Sequence, residues 1–397
     1  MSNYDRLLKI AGKESRLVLG LMSGTSMDGL DIALCRFSGS GEGTKWEVLE
    51  FVTMTHTVAH RSGVRKIFAD PRADLETMAA LDQEIAAEHG RLVEEALKTW
   101  GRDAAEIDLI GSHGQTVYHA PHHQLGSRYP ERDLTVQLGD GDFLARRTGI
   151  VTVSDFRQKH IAAGGEGAPL APYGDLLLFS DPAESRILIN IGGISNFTFI
   201  PALDSSQPFI SSDIGPGNTL MDAYMRMHFS RPYDEDARIA RAGEVLPGLL
   251  DEMMADPFFT LPLPRTTGPE VFNLGFLDRY LNTSDAAAQK PEDVMATLNA
   301  FTAKSIAVTL RPFLAARPTI YLSGGGVRNE LLTARLQQNL PDIRIETTSA
   351  LGMDPDAKEA VIFALLAHEC LFGNPVGYAG GHPGLLRTTM GKVSFPE

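Results

Sequence analysis

Three apolar segments near the N-terminus follow one another too closely for a helix to fit between them. Residues 16–21, 31–37 and 46–53 are rich in Leu, Val, Ile and Phe, a composition that favours β-strands. The connection between the last two is the short glycine-rich turn SGSGEG. Parallel strands need a crossover of about a dozen residues or more. The three segments are therefore predicted to be antiparallel neighbours in one sheet.

The second half of the chain repeats this arrangement. Apolar strands are predicted at 186–191 and 196–200, and they enclose Gly192 and Gly193. A glycine turn thus joins antiparallel strands in each half. Two such turns favour a two-sided phosphate clamp, with a nucleotide held between two domains.

The order of predicted elements indicates an α/β fold. A helical pattern at 74–100 and a short buried strand at 107–110 follow the three opening strands. The chain is too long for one small core and suits two domains. We predict a first domain at 1–155 and a second at 156–397, with the last residues packing back on the first domain.

Charge and composition exclude several classes of function. The chain has 36 Lys+Arg and 50 Asp+Glu, a net charge of −14, whereas nucleic acids and anionic membranes require a basic surface. Cys35 and Cys370 are the two cysteines, too few for a disulfide framework or a cysteine zinc site. The N-terminus lacks the apolar region of a signal peptide, and the apolar stretch at 187–194 is shorter than the roughly 20 residues of a membrane span. We expect a cytoplasmic protein.

The connection between the first two strands is the first candidate phosphate loop. Within GLMSGTSMDGLD, tight turns direct successive backbone N–H groups one way, hydroxyl groups add donors, and the Asp28 carboxylate offers a position for Mg²⁺. The alternative is a plain hairpin with a polar loop. The sequence G-x-x-x-x-G-K-[ST] of a P-loop is absent. The predicted nucleotide contacts are Ser23, Gly24, Thr25, Ser26, Met27, Asp28, Gly29 and Leu30.

Two more glycine-rich segments are candidates for nucleotide contacts. The first, NIGGISN, supplies Gly192, Gly193 and Asn196; its alternative is a turn that merely requires positive φ. The second, SGGGVRN, follows a predicted strand and opens a predicted helix, whose N–H groups favour an anion or a ribose and base. A Rossmann turn is excluded because the spacing places Asn329 where a third glycine belongs. The predicted contacts in this segment are Gly324, Gly325 and Gly326.

Asp213 is the candidate general base. It follows a predicted strand at 209–212 and precedes the rigid turn GPG, which leads into a predicted helix at 219–228. A carboxylate held there can accept a proton in transit. The alternative is an aspartate that caps the helix or belongs to the turn.

Four histidines crowd into the segment 113–123. A zinc site is one interpretation, but neither a cysteine nor an acidic ligand accompanies them, and 119–133 is predicted to be a solvated loop. His113, in the predicted turn GSHGQT, is the better candidate for a residue that lines a cleft.

Eight segments occur in the order of a known family: GLMSGTSMDGLD, GSHGQTVYHAP, RTGIVTVSDFR, GGEGAPLAP, NIGGISN, DIGPGNTLMDA, RTTGPEVFN and SGGGVRNELL. Through them the sequence resembles the anhydro-N-acetylmuramic acid kinase family over about residues 19–373. The resemblance implies the two-domain actin-like ATPase or sugar kinase fold, with a nucleotide cleft between the domains. It also implies ATP and Mg²⁺, and a small-molecule substrate for an enzyme that is often a homodimer.

The resemblance further implies an unusual reaction on a 1,6-anhydrosugar. Asp213 activates a water that attacks the anomeric carbon, the anhydro bridge opens, and the departing O6 takes the γ-phosphoryl group. Asp28 is the implied metal residue. The implied substrate contacts are Ser112, His113, Gln115, Thr116, Arg157, Gly215, Asn218 and Glu359. For Glu359 the alternative is a glutamate that favours a helix N-terminus.

Two departures from the family pattern bear on the substrate. Residues 155–160 read DFRQKH in this chain, whereas family members read DFRRRD, so the difference falls on Gln158, Lys159 and His160. This chain also has Ala120 where family members have Glu. Other segments resemble fungal levoglucosan kinases, so levoglucosan is the alternative substrate to anhydro-N-acetylmuramic acid. A conventional sugar kinase and a non-catalytic ATP-binding protein of the same fold are the remaining alternatives.

Overall fold

The computed structural model describes residues 2–125, 129–202, 205, 207–283, 289–374 and 385–397. The chain divides into two compact units, of which unit one comprises Met1–Leu178 and Gly352–Glu397 and unit two comprises Phe179–Leu351. The final residues therefore return to unit one. The observed division after Leu178 differs from the predicted division after residue 155.

Unit one is built around a mixed sheet. Its strands are β1 (Arg16–Ser23), β2 (Gly29–Ser38), β3 (Lys45–Thr55), β4 (Leu109–Ala120), β5 (Leu134–Leu138), β6 (Val151–Ser154) and β12 (Lys392–Ser394). Its α-helices are α1 (Asn3–Ala11), α2 (Val58–Ile67), α3 (Leu75–Trp100), α4 (His122–Leu125), α5 (Gly141–Thr148), α6 (Phe156–Ala162), α7 (Ala171–Phe179) and α14 (Lys358–Phe372). The sheet order is β12-β6-β4-β1-β2-β3, with β5 paired to β4.

Unit two carries a smaller sheet of the same design. Its strands are β7 (Arg186–Ile191), β8 (Ile194–Ile200), β9 (Ile210–Pro216), β10 (Thr319–Ser323) and β11 (Ile345–Thr347), in the order β11-β10-β7-β8-β9. Its α-helices are α8 (Thr219–Phe229), α9 (Arg238–Ala242), α10 (Pro247–Met254), α11 (Leu274–Thr283), α12 (Pro291–Leu310) and α13 (Glu330–Asn339).

The two sheets share a pairing pattern. In unit one the central β1 is antiparallel to β2 and parallel to β4, and β2 is antiparallel to β3. In unit two the central β7 is antiparallel to β8 and parallel to β10, and β8 is antiparallel to β9. This duplicated plan agrees with the prediction from the short connections in each half.

Successive residues of β1 face opposite sides of the sheet, and each side packs against a different helix. Leu19 and Leu21 lie in a buried cluster with Leu92 and Val93 of α3. Gly20, between them, points to the other face of the sheet, where α14 lies, because successive residues of a strand face opposite sides. A Cβ at Gly20 would lie 1.8 Å from the carbonyl oxygen of Ala360.

The neighbouring strand repeats this close approach. A Cβ at Gly111 of β4 would lie 2.1 Å from the carbonyl oxygen of Phe363. Both contacts are with helix backbone, which has no rotamer through which to yield. α14 therefore sits on β1 and β4 at a separation that only glycine allows.

The segment 156–178 belongs to unit one because it packs on α14. The ring of Phe156 lies 5.4 Å from that of Phe363, and the buried Asp175 carboxylate pairs with the Lys358 ammonium at 2.8 Å. The sequence pattern does not show this contact, because its partners are about 200 residues apart.

Helix α12 joins the two buried clusters of unit two. Its first half, with Val294 and Leu298, packs among helices, and its second half, with Ile306 and Leu310, packs with the strands of the sheet. The α-helix ends at Leu310, and a 3₁₀ segment continues to Ala316. Among the described residues, no helix combines the length and the apolar character that crossing a membrane requires.

Two strands extend further along the chain than predicted. The segment 111–116, predicted to be a turn after a short strand, lies inside β4, which continues to Ala120. Asp213, predicted to follow a strand, lies inside β9. The prediction was wrong in both places because it took glycine as the sign of a turn. Gly111 instead allows close packing inside β4, and Gly215 lies near the end of β9, where the strand changes direction.

We expect Gly20→Ala or Gly111→Ala to destabilise unit one by about 3 kcal/mol or more, the upper end of the usual cost of overpacking a core, because the opposing atoms belong to a backbone. Urea unfolding of the full chain measures the loss. Gly43→Ala is the matched control, since a Cβ there meets nothing within 4 Å. Equal stability of Gly20→Ala and Gly43→Ala would contradict the assigned packing.

Candidate active site

The predicted residues of unit one gather at one edge of its sheet. β1, β4 and β6 are mutually parallel, so their carboxyl ends lie side by side. Ser23 ends β1 and pairs in register with Gln115 of β4, and Arg157 lies just beyond β6 in α6. Strand direction thus brings together residues that are about 130 positions apart in sequence.

Polar side chains anchor the first residues of the candidate phosphate loop. The Ser23 hydroxyl is buried and donates to Gln115 Oε1 at 2.6 Å. Gln115 Nε2 in turn donates to the Gly24 carbonyl at 3.3 Å. Ser23 and Gln115 therefore hold the start of the loop, and their side chains are engaged with the protein itself.

The tip of this loop is accessible. Thr25, Ser26 and Asp28 are exposed, whereas Met27 and Leu30 are buried in the apolar interior. Met27 has φ of +60° and its N–H donates to the Gly24 carbonyl at 3.2 Å, which closes a tight turn. The loop therefore offers hydroxyl groups, backbone and one carboxylate to solvent, while Met27 and Leu30 can contribute only backbone.

His113 and Arg157 form a buried pair. Arg157 Nε donates to His113 Nε2 at 2.9 Å, so the neutral imidazole donates from Nδ1 to the Gly114 carbonyl, also at 2.9 Å. Burial, reinforced by the Arg157 charge, lowers the pKa of His113 well below its usual range. Burial also lowers the pKa of Arg157 to about 10, an effect that the nearby Glu359 opposes.

Ser112 and His113 line a small cavity in unit one. The cavity has a volume of about 100 Å³ and its wall includes Asp82, Asp140 and Asp155. The Ser112 hydroxyl is fully buried and has no hydrogen-bond partner among the described residues. Thr116, in contrast, accepts from Gln137 Nε2 at 3.3 Å. The cavity presents hydroxyl and carboxylate groups of the kind that bind sugar hydroxyls.

Glu359 lies in the first turn of α14, at the same edge of unit one. It retains solvent access, and the protein crowded around its carboxyl raises its pKa, while the charges of Lys358 and Arg157 lower it. Its position follows from the seating of α14 on Gly20 and Gly111.

The predicted residues of unit two gather at the corresponding edge. β7, β9 and β10 run in the same direction, so their carboxyl ends lie together. The Gly192 and Gly193 carbonyls accept backbone N–H groups of Asn218 and Thr219 at 2.8 and 3.0 Å. The turn after β7 is thereby joined to the start of α8.

Asp213 is half-buried and is oriented by a backbone donor. The Thr267 N–H donates to Asp213 Oδ2 at 2.8 Å, and Oδ1 has no protein donor among the described residues. Burial raises the pKa of the Asp213 carboxyl, which makes it a stronger proton acceptor, although the Thr267 N–H works against the shift. Asn196 faces Asp213 in register on β8. The helix-cap alternative is wrong, because the residue that caps α8 is Asn218.

Arg265 holds the end of β9 in place. Its Nη2 donates to the Ile214 carbonyl and to Thr309 Oγ1, both at 3.0 Å, and its Nη1 donates to the Phe258 carbonyl at 3.0 Å. The segment RTTGPEVFN is one of the eight family segments, but the sequence pattern assigned no role to Arg265 or Thr267 within it. The only sequence feature that pointed to these two residues was the position of their segment in the order of the family segments.

The glycines after β10 pack against the end of β7. Gly324 has φ of +81°, and a Cβ there would lie 2.4 Å from Asn190 Oδ1, while one at Gly326 would lie 2.3 Å from Ile191 Cγ2. The helix was predicted to open at this segment. Instead Gly325–Arg328 is a 3₁₀ turn, and α13 begins at Glu330 with Asn329 as its cap.

The histidine segment differs from the prediction in two ways. His119 and Ala120 belong to β4, and Leu134–Leu138 forms β5, so 119–133 is not one solvated loop. An acidic partner does accompany His122, whose Nδ1 lies 2.9 Å from Asp133 Oδ1 at the surface. The side chain of His123 lies outside the described residues.

Comparison with known proteins identifies the family. The family model described as anhydro-N-acetylmuramic acid kinase matches residues 16–391. An anhydro-N-acetylmuramic acid kinase of Pseudoalteromonas atlantica is 47% identical over 100% of this chain and 99% of its own. One of Caldanaerobacter subterraneus is 37% identical over 98% and 100%. This chain belongs to the anhydro-N-acetylmuramic acid kinase family.

Membership in the anhydro-N-acetylmuramic acid kinase family confirms the predicted kinase fold and the predicted class of enzyme, a phosphotransferase. The relatives give no support to the levoglucosan alternative. The solved activator of 2-hydroxyisocaproyl-CoA dehydratase from Clostridium difficile with bound ADPNP covers 89% of this chain and 95% of its own, at 13% identity and a TM-score of 0.43.

His160, one of the departures from the family pattern, has a structural role. The Gly167 N–H donates to its Nδ1 at 2.9 Å, so its Nε2–H donates to the Tyr173 hydroxyl at 3.0 Å. Burial, with the nearby Arg157 charge, lowers the pKa of His160 to about 4. The neutral ring therefore ties the glycine-rich segment after α6 to α7.

Stability is expected to fall between pH 6.5 and pH 4, because His160 takes up a proton more readily in the unfolded chain than in the folded one. In His160→Asn, whose amide oxygen retains an acceptor, this fall should be smaller by on the order of 2–3 kcal/mol. Urea unfolding at pH 7, 5.5 and 4.5 measures the difference. His122→Asn is the control, because the Asp133 carboxylate raises the pKa of the exposed His122 and removing it cannot reduce the acid loss.

Proposed function

We propose that this chain is an ATP-dependent kinase that opens the 1,6-anhydro ring of anhydro-N-acetylmuramic acid and phosphorylates O6, yielding N-acetylmuramic acid 6-phosphate. The observation that carries the proposal is the Asp213 carboxylate, held by the Thr267 N–H at the carboxyl end of β9, in a chain that matches the family from 16 to 391. The full-length relatives named above support the choice of sugar.

The reaction needs one base and one acceptor. Asp213 Oδ1 takes a proton from water as the water oxygen bonds to C1, and the C1–O6 bond breaks. O6 leaves with the bonding electron pair and attacks the γ-phosphorus, which releases ADP. The phosphoryl group neutralises O6, so no separate general acid is required, and the paired carboxylates of a glycoside hydrolase are unnecessary.

Phosphoryl transfer depends mainly on positioning and charge stabilisation. We assign the exposed Thr25 and Ser26 hydroxyls and the backbone around Gly24 to the ATP phosphates. Asp28 fits a Mg²⁺ ion, which typically takes one or two carboxylates together with substrate phosphates, and its carboxylate is exposed at the loop tip. The ion would offset the charge of the phosphates. Gly192, Gly193 and the three glycines at 324–326 are assigned to the nucleotide in unit two.

The terminal nitrogens of Arg157 favour a sugar that carries a negative charge. Its Nε donates a hydrogen bond to His113, and its two terminal nitrogens have no acceptor among the described residues. A guanidinium with two free terminal nitrogens suits a carboxylate, and the lactyl group of anhydro-N-acetylmuramic acid carries one, whereas levoglucosan does not. The remaining sugar contacts of unit one are assigned to Ser112, His113, Thr116 and Glu359, while Gln115 positions the loop. For Gly215 and Asn218, a sugar contact stays a prediction from the resemblance. The homodimer stays a prediction from the resemblance, and the cytoplasmic location stays a prediction from the sequence.

Release of ADP is expected with Mg-ATP and anhydro-N-acetylmuramic acid, and not with glucose or N-acetylglucosamine. In water enriched in ¹⁸O, the label should appear at C1 of the product as fast as ADP is released, because ring opening by water places one solvent oxygen there in each turnover. The C1 oxygen of an open sugar exchanges with water only slowly, through the open-chain aldehyde, and a control without enzyme gives that rate. Mass spectrometry of the product measures this. Turnover of open sugars alone would identify a conventional sugar kinase, and absence of all turnover would favour a non-catalytic nucleotide-binding protein.

A matched pair of carboxylate variants tests the base in the same assay. Asp213→Asn should lower turnover by about 10³-fold, within the range for loss of a general base, with nucleotide affinity unchanged. Asp251→Asn, which removes an exposed carboxylate paired with Lys304, should leave both values as they are. Turnover that survives in Asp213→Asn would overturn the assignment.

Arg157→Gln is expected to raise KM for anhydro-N-acetylmuramic acid by about 10- to 100-fold, the value of one charge-assisted contact. Any slow turnover of levoglucosan should keep its KM, because that sugar has no carboxylate. The measurement is the change in KM that Arg157→Gln causes for each of the two sugars, compared as a ratio. An equal loss for both sugars would show that Arg157 acts only through His113.

A further inference from the structure

Three histidines that the proposed reaction does not use lie buried together in unit one. His56 follows β3, His60 lies in α2 and His89 lies in α3, and their exposed fractions are 2%, 8% and 1%. One ring nitrogen from each lies within 4.8 Å of the others. The His56 and His60 rings are stacked at 3.9 Å, and the His89 ring lies 5.7 and 6.0 Å from them.

The hydrogen bonds fix the tautomer of His56. The Gln115 amide donates to the Gly24 and Thr116 carbonyls, so its oxygen is the acceptor for the Ser23 hydroxyl. The single Ser23 proton is thereby used, and His56 Nε2, 2.9 Å away, must donate to Ser23 Oγ. His56 Nδ1 therefore carries a lone pair.

Four ring nitrogens of this cluster are unsatisfied. His56 Nδ1, His60 Nε2 and both nitrogens of His89 are buried and have no hydrogen-bond partner among the described residues. A buried polar atom without a partner costs about 1–3 kcal/mol, and most such atoms in native proteins are paired. Four in one place, on rings that face each other, indicate a group that the cluster is built to hold.

The chemistry of the cluster suits a metal ion. Burial is the main cause that lowers the pKa of all three histidines, in His56 to about 4, so the rings are neutral at pH 7 and keep their lone pairs. Neutral imidazole is a preferred ligand of Zn²⁺ and related ions. Three histidines leave a fourth position open, as in many zinc sites.

The fit requires a small closure. Zinc–nitrogen bonds of about 2.0–2.1 Å place tetrahedral ligands about 3.4 Å apart, whereas the ring nitrogens lie within 4.8 Å of one another. The nitrogens must therefore approach one another, and the stacked His56 and His60 rings must tilt out of their parallel arrangement, because nitrogen lone pairs lie in the ring planes. His56 and His60 are four residues apart in sequence and His89 projects from the neighbouring helix, so the change falls on three side chains.

We propose that His56, His60 and His89 bind one divalent transition-metal ion of the Zn²⁺ type. The ion would bind Nδ1 of His56 and leave its Nε2–H on Ser23, the residue at which the phosphate loop begins. Such a bond to the second ring nitrogen orients a metal-bound histidine. The site lies within unit one and does not rest on the proposed function.

A metal titration of the full-length chain tests the proposal. After removal of bound metal with a chelator, the wild-type chain should bind one Zn²⁺ tightly, and Co²⁺ in its place should give the visible absorption of a tetrahedral nitrogen site. His60→Gln and His89→Gln should each weaken Zn²⁺ binding by at least about 100-fold, since even a lost partner of a ligand costs 10- to 100-fold. Thermal unfolding should shift upward with Zn²⁺ in the wild type and not in His60→Gln or His89→Gln.

The exposed group His122, Asp133 and Glu166 provides the control, because its ligand atoms also lie within 4.8 Å of one another. His122→Gln should keep the tight Zn²⁺ site and the Co²⁺ spectrum. Loss of the site in His122→Gln, or its persistence in His60→Gln, would overturn the proposal. Should the buried variants fail to fold, the wild-type titration decides alone, and a chain that shows no tetrahedral Co²⁺ spectrum contradicts the site.

Discussion

The contact between α14 and the two glycines of the central strands fixes the geometry of unit one. Gly20 and Gly111 let the helix backbone approach the sheet so closely that any side chain would overlap it. The same helix carries Lys358, whose buried ion pair with Asp175 ties the segment after β6 to the unit. It also carries Glu359 to the edge where Arg157 lies. A helix from the C-terminal part of the chain thus completes a site that the N-terminal part begins.

Strand direction accounts for the rest of the site. In each unit the central strand is parallel to the neighbour that carries the next functional segment, so loops distant in sequence meet at one edge of a sheet. In unit two this edge receives Asp213, the turn at Gly192 and the glycines after β10. The chemistry assigned to these residues depends on that shared edge, because none of the segments could act alone.

Buried polar groups lie directly behind the candidate phosphate loop. The Ser23 hydroxyl links Gln115 of β4 to His56, and His56 stacks on His60. A polar network of this kind constrains its members only when its hydrogen bonds are complete. The unsatisfied nitrogens of the histidine cluster are the incomplete part, and a bound ion would complete it. Loop position and metal occupancy would then be linked through a single hydrogen bond.

Local pattern predicted most elements and misjudged specific ends. The antiparallel opening, the long helix up to Trp100 and the duplicated plan follow from apolar spacing and from connections too short for a crossover. Glycine was the main source of error. At 111–116 it indicated a turn, whereas Gly111 serves the contact with α14 inside a strand. The histidine cluster escaped notice because His89 lies about thirty residues from His60 and shares only a tertiary neighbourhood with it.

The sequence by itself determined the family, the two-fold plan of the strands and the two glycine turns, because each is written in residues that are neighbours along the chain. Only the tertiary structure decided which unit the segment 156–178 joins, that Thr267 orients Asp213, and that His113 is neutral beside Arg157. Those facts depend on contacts between distant segments, on burial and on the direction of hydrogen bonds. A linear pattern contains none of these until the chain has folded.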